Sequence, residues 1–200
     1  MAKRIAGVVA LIVVSFGCVT SVTPNRSTGT IPGYEGTVRT EWLSDGRRMQ
    51  LLEDFTFIDA AGRRWRAPKG ATIDGASIPR ALWWSGGPYE GQYRDASVVH
   101  DVYCDENPKT ATWRAVHRMF YDAMVKSGVE TARALVMYGA VYRHGPRWPD
   151  PAPPDAPAVA PPPKTATPLE EDVKRVEMLV NEGKVTTPEE IEKLPLVITP

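Results

Sequence analysis

Hydrophobic residues recur along this chain with several different spacings, and each spacing predicts a different element. Between Met49 and Ile58, Leu51, Phe55 and Phe57 share one parity with Glu53 interrupting, which predicts a half-buried strand. Asp59-Ala60-Ala61-Gly62 reads as a turn, and Arg63–Ala67, carrying Trp65, as the returning strand of a β-hairpin. A shorter, mixed strand is expected at Thr37–Trp42. Pro68-Lys69-Gly70 ends the pattern. Ser77 is then a good N-cap, and Pro79 a first-turn residue, for a short helix through about Trp84.

The period then becomes helical. Over Gln92–Cys104, Tyr93, Ala96, His100 and Tyr103 fall on one face. Over Thr110–Ser127, Trp113, Val116, Phe120 and Met124 form a stripe with His117 inside its arc. Over Val129–Tyr142 the residues are apolar nearly all round, as in a mostly buried helix. Residues 36–148 thus read as one α+β domain, a small antiparallel sheet followed by a three-helix cluster.

The flanks follow other rules. Residues 1–17 combine Lys3 and Arg4 with the apolar run Ile5–Val14, a secretory leader too short to span a bilayer, which takes about 20 residues. Ser15-Phe16-Gly17-Cys18 resembles the lipobox of bacterial lipoproteins, which predicts a diacylglycerol on Cys18 and a membrane-anchored, periplasmic-side envelope protein. Residues 18–35 read as a flexible tether. Residues 149–168 form a Pro-rich linker that, as extended polyproline II at ~3.1 Å per residue, reaches on the order of 60 Å. In the tail, residues 169–200, Leu169, Val173, Val176 and Val180 make a helical stripe, and Thr187-Pro188-Glu189-Glu190 is a capping box for a second short helix. This helical hairpin resembles the short C-terminal helix-turn-helix called SHOCT. A unit of about 30 residues buries too little surface to stand alone, so its stripe needs a partner, either the main domain or another protein chain.

Charge narrows the partners. With 24 Lys+Arg against 24 Asp+Glu, the chain lacks the basic excess of a nucleic-acid binder. Cleavage of the leader takes away Lys3 and Arg4, so no polybasic membrane patch remains. The cysteines number 2. With Cys18 lipidated, Cys104 has no disulfide partner and reads as a small packed residue, which argues against a Cys-based zinc site.

Three clusters carry candidate chemistry: Asp74-Gly75-Ala76-Ser77, His100-Asp101-Val102-Tyr103 and His117. A short connection makes the first two long helices neighbours, which lets the imidazoles of His100 and His117 approach each other. Asp74, on a Gly-containing loop, is a candidate partner for them. Gly75 and Ser77 serve either as turn and cap or as a site loop. His144, past the third helix, reads as a solvated C-terminal cap. The residues leave three readings open: a hydrolase-like site with His100, Asp101 and His117 as catalytic groups, a two-His, carboxylate site for Zn²⁺ or another divalent ion built from Asp74, His100, Asp101 and His117, and a purely structural set of core histidines.

The run from Ala71 to Arg80, Trp83-Trp84, the segment Ala96–Tyr103, the Met124 helix and Val136–Val141 together resemble the phage and bacterial family catalogued as domain of unknown function 1353. The resemblance covers about residues 50–145 and implies no defined activity, though it suggests a phage-related origin. His117 stands where that family commonly has Asp. His-Asp-x-x-Tyr on a helix is also similar to the secreted phospholipase A2 motif. That similarity implies His100 as the base for water, Asp101 as a Ca²⁺ ligand and an ester in lipid or cell-wall material as substrate. The competing expectation is a non-catalytic lipoprotein interaction module.

Overall fold

The computed structural model describes residues 33–74, 91–150 and 169–195. Cys18, Gly75, Ser77, the expected short helix through Trp84 and the Pro-rich linker beyond Asp150 lie outside them. The architecture is α+β. Six strands, β1 Gly33–Glu35, β2 Thr40–Trp42, β3 Met49–Leu51, β4 Phe55–Ile58, β5 Arg64–Ala67 and β6 Thr72–Ile73, come before five helices among the described residues. These are α1 Arg94–Asp105, α2 Trp113–Lys126, α3 Thr131–His144, α4 Leu169–Asn181 and α5 Pro188–Lys193.

The strands form two antiparallel three-stranded sheets, in the orders β1-β4-β5 and β2-β3-β6, where the sequence pattern predicted one. The split falls inside the strand expected over Met49–Ile58. Glu53 shares the parity of Leu51, Phe55 and Phe57, so a continuous strand would drive a carboxylate into the core. The chain instead leaves the ladder after Leu51, and Glu53 meets Arg39 at the surface, 2.9 Å away. Gly36 (φ +88°) sits against this bend, and a Cβ there would come within 2.8 Å of the Asp54 carbonyl oxygen. Gly33–Glu35, expected to end the tether, is strand β1 paired with β4. The predicted hairpin forms as read, with Phe55 opposite Ala67 and Ile58 opposite Arg64. The Asp59 carboxylate locks its turn by accepting from the backbone N–H of Ala61 and Arg63 and from Trp65 Nε1.

The helices end where their caps dictate. Thr112 Oγ1 accepts from Ala115 N–H at the start of α2, and Glu130 caps α3. Helix α1 lies against β4, β5 and β6, α2 packs on α1, and α3 on α2. Tyr103 ties α1 to the sheet, since its hydroxyl accepts from Arg66 N–H at 3.1 Å and its ring meets Trp65 edge-on.

The tail stripe finds its partner within the chain. Val173, Val176, Val180 and Ile191 are buried, and α4 and α5 both pack on α3. Gly139 makes the close approach possible, because a Cβ there would sit 2.9 Å from Val176 Cγ1. The capping box at Thr187 and Glu190 is fully formed. Burial of each aliphatic side chain in this contact contributes roughly 1.5–3 kcal/mol.

Candidate functional site

Helical spacing builds the centre of the molecule. On α1, His100 and Cys104 are four residues apart and therefore lie one above the other. On α2, His117 is one turn beyond Trp113 and three residues before Phe120. Packing α1 on α2 brings His100 Nε2 within 2.8 Å of His117 Nδ1. The thiol of Cys104 stands 3.6 Å from His100 Nε2. The surroundings are apolar and aromatic: the Phe120 ring centroid is 4.6 Å from that of His100, and Trp113 and Trp148 flank His117. Both imidazoles have 0% exposure and Cys104 has 9%.

The hydrogen bonds decide the tautomers. His117 Nε2 lies 3.0 Å from the carbonyl oxygen of Pro146, which can only accept, so that nitrogen carries the proton. Nδ1 then offers a lone pair, and His100 Nε2–H donates to it. Burial pushes the His100 pKa well below the ordinary value, and the neighbouring His117 lowers it further. Burial also pushes His117 down to about 4, with a smaller push from Arg147. Both rings are therefore neutral at physiological pH.

Among the described residues, His100, Cys104 and His117 are the metal-type donors that converge, with their ligand atoms within 4.8 Å of one another. Neither Asp74 nor Asp101 belongs to this group. Asp101 follows His100 by about 100° around α1 and is itself buried. Asp74 lies on a different side of α1, in a cleft of about 350 Å³ lined by Arg48, Ala71, Thr72, Val102, Asp105 and Glu106. There Arg47 donates to its carboxylate at 3.2 Å. Burial and the charge of Asp74 raise the Asp105 pKa, against an opposing pull from Lys109. Tyr103 is a strut between α1 and β5. The expected meeting of the imidazoles is present, and the loop carboxylate expected beside them is replaced by a thiol. His100-x-x-x-Cys104 was the available signal, since residues at i and i+4 share a helix face.

A second buried polar cluster lies at the end of α3. Arg143 grips Asp172 of α4 through two bonds, Nε to Oδ2 at 2.5 Å and Nη2 to Oδ1 at 2.6 Å. It also donates to the carbonyl oxygens of Leu194 and Pro195. His144, expected in solvent, has a side chain 9% exposed and meets Asp172 Oδ2 at 2.8 Å. Burial pushes the Asp172 carboxyl upward, but hydrogen bonds from Arg143 and His144 outweigh it and hold the pKa below its ordinary value. Arg118 to Glu189 and Tyr138 to Glu192 add polar ties to α5.

These features define a small α+β domain with a closed imidazole–thiol interior, an open acidic cleft and a helical tail clasped to its last helix. Residues 49–141 match the family described as "Protein of unknown function (DUF1353)". The chain is 43% identical to "Uncharacterized protein y4iH" of Sinorhizobium fredii (strain NBRC 101917 / NGR234) over 105 residues, which are 52% of this chain and 43% of that protein. It is 45% identical to "Uncharacterized protein y4jT" of the same strain over 100 residues, 50% of this chain and 29% of that protein. The matched region therefore spans less than half of these relatives. No solved structure matches. The family segment contains His100, Cys104 and His117 and ends before Arg143, Asp172 and the tail. Among the described residues no helix is long and apolar enough to cross a membrane.

Proposed function

We propose that this chain is a non-catalytic binding module of the bacterial envelope, carried on a lipid-modified Cys18 that follows a cleaved leader. The observation that supports this reading is the complete burial of both imidazoles, which satisfy each other inside an aromatic wall. A general base must reach the proton it abstracts, directly or through one water. His100 presents no surface to an ester or a water, and its neighbour's lone pair already takes its Nε2 proton. Lipidation rests on the order of basic residues, apolar run and Ser15-Phe16-Gly17-Cys18 in the sequence. Partners of the module meet it at the cleft lined by Arg48, Asp74, Asp105 and Glu106, a concave surface among the described residues that combines charged groups with apolar lining.

The deciding experiment compares wild type with His100→Gln for hydrolysis of phospholipid and cell-wall esters and for thermal unfolding. The module reading expects no hydrolysis by either protein and a lower unfolding temperature for the variant. Hydrolysis by wild type that disappears in a variant of unchanged stability would establish a hydrolase instead. Labelling with radioactive palmitate in wild type and Cys18→Ser tests the anchor separately.

A further inference from the structure

We propose that His100, Cys104 and His117 form a binding site for one borderline or soft transition-metal ion of the zinc class, held in the interior between α1 and α2. This goes beyond the module reading and does not depend on it.

The donor set selects the metal. Two imidazole nitrogens and a thiol sulfur suit zinc, cobalt or copper, whereas calcium and magnesium need oxygen ligands that do not converge here. The spacing is close to that of a formed site. With bonds of about 2.0 Å to nitrogen and 2.3 Å to sulfur, a tetrahedral ion holds its ligands roughly 3.3 Å (N to N) and 3.5 Å (N to S) apart. Cys104 Sγ is already 3.6 Å from His100 Nε2. The two ring nitrogens, at 2.8 Å, need only part by about half an ångström. The outer contact is also in place: His117 donates Nε2–H to the Pro146 carbonyl and turns the Nδ1 lone pair inward. Metal-bound histidines are typically oriented in this way.

The proton balance is simple. Cys104 gives up its thiol proton to solvent as Sγ bonds the ion. The Nε2 proton of His100 moves to its own Nδ1, so the ring stays neutral and its Nε2 lone pair becomes available. His117 needs no change. Binding one divalent ion thus releases one proton. A water or another small donor completes four-coordination. Because Trp113 and Trp148 flank His117, the ion enters during folding or through a local opening.

The test uses the full chain with Cys18→Ser, so that Cys104 is its remaining thiol, refolded under reducing conditions with Co²⁺. The expected result is a near-ultraviolet thiolate-to-cobalt absorption band with visible bands of four-coordinate cobalt, saturating at one ion per chain and bleached by Zn²⁺. Cys104→Ala, checked for folding by circular dichroism, loses the near-ultraviolet band, and His117→Phe weakens binding at least tenfold. Zn²⁺ should also raise the thermal midpoint of the Cys18→Ser protein and not that of the Cys104→Ala variant. A folded chain without the thiolate band, or a band that survives Cys104→Ala, overturns the proposal.

Discussion

The molecule buries polar groups in two places and handles them in opposite ways. Between α1 and α2, two imidazoles give up their charge and share one hydrogen bond among aromatic rings. Between α3 and α4, Arg143 keeps its charge in the interior, because a guanidinium stays protonated in proteins, and recruits a carboxylate, an imidazole and two carbonyls around it. Losing one partner from a neutral pair leaves a hydrogen bond unmade. Losing one partner from the charged cluster leaves a buried ion. The two regions should therefore differ in how much damage a single substitution does.

Asp172→Ala gives the largest expected effect. It strands Arg143, and breaking a buried ion pair from one side costs about 3–5 kcal/mol. Denaturant unfolding should show this loss. Adding Arg143→Met should recover most of it, since an apolar side chain of similar length has no charge to desolvate. A loss below 1 kcal/mol would mean that water reaches Arg143 and that the clamp is not sealed.

Acid separates the regions by pH. The folded-state pKa of His117 is lowered from 6.5 to about 4, and His100 is lowered for the same reason. The unfolded chain takes up protons below pH 6.5 that the folded protein refuses. The histidines' stabilisation is therefore complete above that pH and is lost on acidification at about 1.4 kcal/mol per pH unit for each ring. For His117 alone this reaches about 3 kcal/mol by pH 4. The Asp172 carboxyl is held below its ordinary value, so its stabilisation is present above the usual carboxylate range and is lost only at lower pH. Stability measured by urea unfolding should already slope between pH 6.5 and 5. A double His100→Leu, His117→Phe variant should be flat there, and Asp172→Asn should keep the slope.

The next effect is smaller. His117→Phe leaves the Pro146 carbonyl and His100 Nε2–H without their partner, at a cost of about 1–3 kcal/mol. Replacing both rings by apolar groups removes the pair together and should lie closer to wild type. If the double variant is the worse of the two, the pair contributes beyond simple mutual satisfaction, as a bound metal would make it do.

What could be read in the sequence follows the range of each interaction. The hairpin at Asp59–Gly62, the three long helices and the Thr187 capping box depend on neighbours within a few residues, and their residue types sufficed. The division of Met49–Ile58 between two sheets depends on Glu53 being unable to enter a core that other segments complete, so only its parity hinted at it. The approach of His100 to His117 was legible because both lie on apolar stripes of adjoining helices. Cys104 carries no disulfide signal, and its place in the centre shows in the sequence only through its four-residue spacing from His100 on one helix face. The Arg143–Asp172 clamp was not legible: it joins positions 29 apart in sequence, with the Pro-rich segment between them. Arg143 and His144 at the end of a mostly apolar helix are its local trace.

The finest contrast lies at Gly139, where α3 lets the tail approach. Alanine there gains about 1 kcal/mol of helix propensity over glycine. Its Cβ, however, would sit 2.9 Å from Val176 Cγ1 and 3.5 Å from Ile191 Cδ1, and a valine methyl one bond from its own Cβ has little freedom to retreat. The two terms are of similar size, so Gly139→Ala should change global stability by no more than about 1 kcal/mol. The difference should appear in the tail alone. Amide exchange in α4 and α5 should quicken while α1 and α2 stay protected, because the clash falls on α4 and leaves the α1–α2 contact untouched. Gly139→Ala, Val176→Ala should restore slow exchange, since the shortened side chain vacates the space the new methyl needs. Uniformly faster exchange in all the helices would instead show that the tail and the imidazole centre unfold as one unit, and that the two polar clusters, though built on opposite principles, stand or fall together.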